Sequence, residues 1–151
     1  MGKRHRIAAG GITFKDDAVL LVRYRDNRGG TYLAGAGGGL QDDETVVQAI
    51  VRETLEETSV SVKPERVVII EDLISSRVKM CKIWMVCEYA GGRVRRTEEA
   101  EKEGIVEVGW FTRDQLVGEI VFPTPLIDDD WDQLRSGDGQ VRCLPSRKMR
   151  F

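Results

Sequence analysis

The alternation of apolar and polar positions divides the chain into many strands and few helices. "RIAAGGITF" and "AVLLVRYR" read as strands separated by the turn "KDD". "DNRGG" is a second turn, with Tyr32 and Leu33 after it. From about Asp43 to Ser59 the pattern changes to a helical period. Two longer strand runs follow, "RVVIIEDLI" and "VKMCKIWMVCEYA". The glycine- and charge-rich "GGRVRRTEEAEKEG" after them reads as an exposed loop. "IVEVGWF" returns to strand, and "TRDQL" starts a short helix that Thr112 can cap. "PTPLIDDDWDQLR" opens a further helix, with Pro125 near its first turn. No repeat or interdomain linker interrupts the pattern. One domain is therefore expected over residues 1–151, with residues 136–151 as a less determined C-terminal tail. Many strands with two or three helices predict an α/β fold in which helices cover a mixed sheet.

The predicted helix carries an arrangement that folding alone does not require. Projected at about 100° per residue, Glu53, Glu56 and Glu57 fall within one arc of roughly 100°. Val47, Val51, Thr54 and Leu55 gather on a different arc, which is expected to bury against the sheet. Arg52 lies four residues before Glu56 and can pair with it. Like charges at this spacing destabilise an isolated helix by a few tenths of a kcal/mol per pair. A hard divalent cation removes that penalty, and Mg²⁺ favours a few carboxylates together with water and phosphate oxygens. The glycines Gly37, Gly38 and Gly39, just before the helix, allow backbone to approach a metal or a phosphate closely. A Glu-rich helix face is otherwise a solvated face, and a glycine run is otherwise a turn. "GAGGGL" completes neither the dinucleotide fingerprint nor the GxxxxGK[ST] phosphate loop.

Composition narrows the classes. The chain has 151 residues, 41% hydrophobic and 32% charged, as a globular domain with a core requires. A net charge of −2 excludes bulk attraction to a nucleic-acid polymer or an acidic membrane. No run of 18 apolar residues is present to span a bilayer. The basic "MGKRHRIAAGGITF" lacks the apolar core of a secretion signal, so a cytoplasmic location is expected. Cys81 and Cys87 belong to one strand run, about 20 Å apart and too far to bridge. With Cys143 they read as reduced residues. The alternative is a zinc site, against which stand the lack of CxxC and the single histidine, His5.

The combined spacing is distinctive. Gly38, five residues, Glu44, seven residues, then Arg52-Glu53-Thr54-Leu55-Glu56-Glu57-Thr58-Ser59-Val60 resembles the box of the Nudix hydrolases. In that box an aliphatic residue stands where Thr54 does, and a glycine where Ser59 does; every other specified position is kept. The family glycine sits past the helix end, where a left-handed backbone is easy only for glycine, so Ser59 is expected to be left-handed at a cost of about 1 kcal/mol. Ala36 and Gln41 replace the proline and glutamate that often flank the glycines in this family. The order of elements is similar to a Nudix domain over roughly residues 6 to 135. The resemblance implies the Nudix fold, a mixed sheet sandwiched between α-helices (α/β/α).

It also implies a metal-dependent hydrolase, using Mg²⁺ or Mn²⁺, in which water attacks phosphorus in a nucleoside diphosphate linked to another moiety. Carried over residue by residue, Glu53, Glu56 and Glu57 hold metal, with a carbonyl of Gly37 or Gly38 as a further ligand. Arg52 orients the glutamates, and Glu44 supports them. The proton acceptor is either a box glutamate or one of Glu98, Glu99 and Glu101 in the loop, with Glu98 the first candidate. Arg23 and Arg25 either contact phosphates or form the polar face of a half-covered strand. Trp84, Tyr32, Phe122 and Trp131 either stack a base or belong to the core. The expected partner is a nucleotide-type small molecule, without nucleic-acid polymer or membrane, and a homodimer is compatible with the sequence. The competing class is a catalytically weak Nudix domain that binds a nucleotide as a sensor. The intact glutamate set favours the enzyme.

Overall fold

The computed structural model describes residues 2–149. A first hairpin, β1 (Arg4–Lys15) and β2 (Ala18–Arg25), is followed by β3 (Thr31–Ala34) and the glycine strand β4 (Gly37–Gly39). The helix α1 (Val46–Thr58) leads into a long hairpin, β5 (Ser61–Ile74) and β6 (Val78–Gly91). Then come α2 (Glu98–Lys102), β7 (Ile105–Thr112), a 3-10 turn over Arg113–Leu116 and β8 (Val121–Phe122). Two short helices, α3 (Pro125–Asp128) and α4 (Trp131–Ser136), and a final strand, β9 (Arg142–Lys148), complete the chain. All the strands join one mixed sheet in the order β8-β3-β2-β1-β6-β5-β9, with β4 added to β1 and β7 to β2. β1 runs parallel to β6 and antiparallel to β2 and β4.

Strand alternation puts β1 side chains on two faces. On one face Ala9 packs with Ala49 and Ile50 of α1 and with Met85 and Cys87 of β6. On the other, Ile12 and Phe14 pack with Trp84, Val86 and with Leu126, Trp131 and Leu134 of α3 and α4. Helices therefore cover both faces, as the α/β/α expectation requires. Among the described residues, no helix is long and apolar enough to cross a membrane.

Five differences from the sequence expectations have local causes. The helix starts later than Asp43, because Thr45 closes a capping box with Gln48 and sets the first turn. Its buried face is Ala49, Ile50, Glu53, Thr54, Glu57 and Thr58, while Val47 and Leu55 are exposed. The small side chains admit close approach to Gly11 of β1, where an added Cβ would come within 3.1 Å of Ile50, so the helix lies on its small and acidic side. The segment "TEEAEKE" is not a plain loop. Thr97 caps α2 through the Ala100 amide, and its hydroxyl also donates to the Glu56 carbonyl at the end of α1. The tail, finally, is ordered as β9, which pairs in parallel with β5. The single helix read from "PTPLIDDDWDQLR" is two, because Asp129 turns extended and Asp130 caps a fresh start.

Ser59 takes the expected left-handed backbone, φ 64° and ψ 14°, and its amide donates to the Leu55 carbonyl at 2.9 Å. Cys81 and Cys87 do share β6. The buried Cys87 thiol is pushed up to about 12 by burial.

Candidate active site

Two local features bring the site together. The glycine strand β4 pairs with β1, Gly37 opposite Gly10 and Gly38 opposite Ala9. A Cβ on Gly37 would lie 2.2 Å from the Ala9 carbonyl oxygen, and one on Gly38 would lie 2.5 Å from Glu53 Oε1. Only glycine lets the strand sit this close to the helix carboxylates. The second feature is the end of α2, which delivers Glu103. One carboxylate oxygen each from Glu53, Glu57 and Glu103 lies within 4.8 Å of the others.

The electrostatics of this cluster are unbalanced. Glu57 is fully buried. It accepts only long bonds, from the Gly37 amide at 3.3 Å and from the Tyr24 hydroxyl at 3.5 Å. Burial first, then the charges of Glu53 and Glu103, hold its carboxyl well above the ordinary range. Burial and Glu53 likewise raise Glu103. Burial raises the Tyr24 hydroxyl too, helped by Glu57. Glu53 Oε2 is buried and has no hydrogen-bond partner. An unpaired carboxylate oxygen beside two further carboxylates is costly unless a cation joins it. The donor set is all oxygen, which suits a hard divalent ion such as Mg²⁺ or Mn²⁺ and does not suit zinc. The residues present therefore fit the metal that the box implies.

Arg52 organises the flank. Its guanidinium donates to Glu44 at 2.6 and 2.9 Å, to Glu53 Oε1 at 3.0 Å, to Glu56 at 3.2 Å and to the Gly39 carbonyl at 3.3 Å. It thus fixes one oxygen of Glu53 and leaves the other without a hydrogen bond. Glu44, bonded to Arg52 and to the Gln41 amide, is lowered to about 2. Glu56 stays at the rim on Arg52 and is not drawn into the three-carboxylate cluster.

Beside the cluster opens a cavity of about 320 Å³. Gly37, Gly38 and Glu103 border it on the cluster side. Its walls are aromatic: Tyr24 stacks on Tyr32 at 5.3 Å between centroids, and Phe122 meets Tyr32 edge-on at 5.7 Å. Arg147 lies 3.7 Å from the Phe122 ring centroid, and Lys82 sits 4.2 Å from that of Trp84. Burial pushes the Lys82 ammonium down from its ordinary value.

Several expected residues stand elsewhere. Glu98, Glu99 and Glu101 lie on exposed positions of α2, and Glu103 is the carboxylate of this segment that reaches the cluster. Arg23 is drawn to carboxylates of its own fold. It is held by Glu107 at 2.6 Å and by Glu119 at 3.0 and 3.1 Å, so its charge is already matched. Arg25 does border the cavity. Trp84 is fully buried and donates its indole N–H to Glu71 at 3.0 Å, so it forms the floor and offers no open stacking face. Trp131 belongs to the core on the far side, while Tyr32 and Phe122 are cavity walls. Glu103, Lys82 and Arg147 were not singled out from the sequence. Only Glu103 left a signal there, as a carboxylate of the acidic "TEEAEKE".

Comparison with known proteins agrees with this geometry. The sequence pattern described as the NUDIX domain matches residues 4–134. The chain is 31% identical to human 8-oxo-dGDP phosphatase NUDT18 over 114 residues, which are 74% of this chain and 32% of that protein. It is 28% identical to the NAD-capped RNA hydrolase NudC of Photorhabdus laumondii over 102 residues, 68% of this chain and 37% of that one. The chain thus spans about a third of the length of these curated relatives. A NUDIX hydrolase structure from Nitrosomonas europaea superposes with a TM-score of 0.75 at 18% identity, covering 99% of this chain and 82% of the other.

Proposed function

This chain belongs to the NUDIX family, and we propose that it is a metal-dependent hydrolase acting on the pyrophosphate bond of a nucleoside diphosphate linked to a further group. The observation that carries this reading is the Glu53–Glu57–Glu103 cluster with its unpaired, buried Glu53 oxygen, set at the mouth of an aromatic cavity. The names of the relatives, an 8-oxo-dGDP phosphatase and a NAD-capped RNA hydrolase, fit the same class of bond.

Glu53 and Glu57 would hold Mg²⁺ or Mn²⁺, with Glu56 and a Gly37 or Gly38 carbonyl as further ligands at the rim. When bound, the ion would neutralise the diphosphate and lower the pKa of a nearby water. The chain's own residues do the rest. Arg52 keeps Glu53 in one orientation through its bond to Oε1. Glu103, at the exposed edge of the cluster, takes the proton of the attacking water, in place of the expected Glu98. Tyr24, Tyr32 and Phe122 enclose the base, and Arg25 stands where the phosphates leave the cavity. The substrate is a nucleotide-type small molecule, and the reaction takes place in the cytoplasm.

Phosphate release from ADP-ribose, an oxidised nucleoside triphosphate and a diadenosine polyphosphate, each with and without Mg²⁺, tests the reading. Cleavage of at least one compound that depends on Mg²⁺ is expected. Release unchanged by chelation, or none from the whole panel, contradicts it.

A further inference from the structure

One wall of the cavity is formed by side chains to which, Phe122 apart, the proposed hydrolysis assigns no role. Ala8, Leu73, Met80 and Phe122 are apolar, and Lys82 and Arg147 supply the charge. Their backbones are brought together by long-range pairing: Lys82 lies opposite Ala8 on β1 and opposite Glu71 on β5, and Arg147 lies opposite Leu73.

The hydrogen-bonding character of this wall is one-sided. An ammonium and a guanidinium are donors only. The acceptor behind them, Glu71, is 2% exposed, does not border the cavity and is already engaged. Its Oε1 accepts from Trp84 at 3.0 Å and from Arg147 at 3.2 Å, and its Oε2 accepts from Arg147 Nε at 3.3 Å. Glu71 therefore aims Arg147 and shields its charge. Lys82 rests over the Trp84 ring. A group that contacts Lys82 or Arg147 meets donors.

We infer that the cavity selects nucleobases that present a keto oxygen, guanine, hypoxanthine or uracil, over those that present an amino group at the same ring position, and that Lys82 is the residue that reads it. The inference rests on the cavity being the nucleotide's site, as proposed above. A keto oxygen accepts from the Lys82 ammonium, while an amino group at that position sets donor against donor. Such mismatches are rejected strongly because the buried polar group is left unpaired. The cavity volume agrees: about 320 Å³ admits one nucleoside-sized group and leaves the second moiety outside.

The test uses two pairs of ligands that differ only at this position. These are the α,β-methylene diphosphates of inosine and adenosine, and those of uridine and cytidine, whose P–C–P bridges resist hydrolysis. Calorimetric titration in Mg²⁺ is expected to show the keto member of each pair bound about tenfold or more tightly. Lys82→Met should remove most of that ratio, and Lys82→Arg, which keeps the donors, should retain part of it. The wild-type ratios stand as a test even if a variant misfolds. Equal affinities within both pairs, or tighter amino members, overturn the inference and leave the hydrolase reading intact. An equal loss for all four ligands in Lys82→Met also overturns it, because it places Lys82 on the phosphates. Binding of none of the four overturns both readings.

Discussion

Glu71 and Glu57 are buried alike and provided for differently. Glu71, on β5, has an arginine and an indole N–H on its two oxygens, and its charge is matched within the fold. Glu57, on α1, has two other carboxylates as neighbours and only long bonds to an amide and a phenol. Burying a carboxylate costs several kcal/mol unless it is paired and hydrogen-bonded. The first arrangement recovers that cost from the protein. In the second, burial and the neighbouring carboxylates hold the carboxyl well above its ordinary range, and a cation out of solution would supply the missing partner. A buried carboxylate with its own cation is therefore architecture, and a buried carboxylate among carboxylates is a candidate binding site.

The sharpest break of this comparison is at Glu71. Glu71→Ala strands Arg147 and the Trp84 N–H at a half-covered position and should destabilise the chain by about 3 kcal/mol. Thermal melting should fall by roughly 10 °C, with or without divalent metal. A drop seen only without metal would place Glu71 in the metal site. Next in size is Glu103→Gln. Turnover of whichever panel compound is cleaved should fall at least about tenfold, while Glu98→Gln behaves as wild type. The reverse pattern would return the proton acceptor to α2.

Ser59→Gly sharpens a smaller point. At φ 64° the serine is strained, and glycine should stabilise by about 1 kcal/mol, raising the melting temperature by roughly 2–4 °C with turnover unchanged. A lower melting temperature would mean that this helix end tolerates the serine without strain. The smallest effect belongs to Glu44, whose pairing with Arg52 depresses its carboxyl from 4.5 to about 2. A depressed acid stabilises the fold above its unfolded pKa and loses that contribution as pH falls through the folded one. The difference in melting temperature between wild type and Glu44→Gln should be constant above pH 5 and shrink between about pH 4.5 and pH 2. A difference that persists at pH 2 would remove the ion pair as its cause.

What the sequence made legible is local. The glycine run, the arginine and the box glutamates lie within one continuous segment, and their spacing alone set them on adjoining turns and a close strand. The left-handed Ser59 was legible for the same reason: the end of a helix is a local event. Three things were not. The buried side of α1 was misread because Val47 and Leu55 outrank Ala49 and Thr58 in hydrophobicity, yet the close approach to Gly11 selects the small side chains. That Glu103 and not Glu98 reaches the carboxylate cluster was not legible, because it depends on how Thr97 docks the start of α2 on the Glu56 carbonyl. Arg147 and Lys82 were missed because they meet only through strand pairing across the sheet, between residues far apart in sequence. Arg23 and Arg25 share a strand and differ in fate, since Glu107 and Glu119 claim only the first.

The central claim is that Glu57 is buried for a metal and against the stability of the metal-free fold. Thermal melting of wild type and Glu57→Gln, each in chelator and in excess Mg²⁺ or Mn²⁺, measures it directly. A neutral amide relieves the repulsion within the cluster, so in chelator the variant should melt roughly 2–4 °C above wild type. Metal should raise the melting temperature of wild type and leave that of the variant unchanged. A variant that melts lower than wild type in chelator, or that gains as much from metal, would contradict the account.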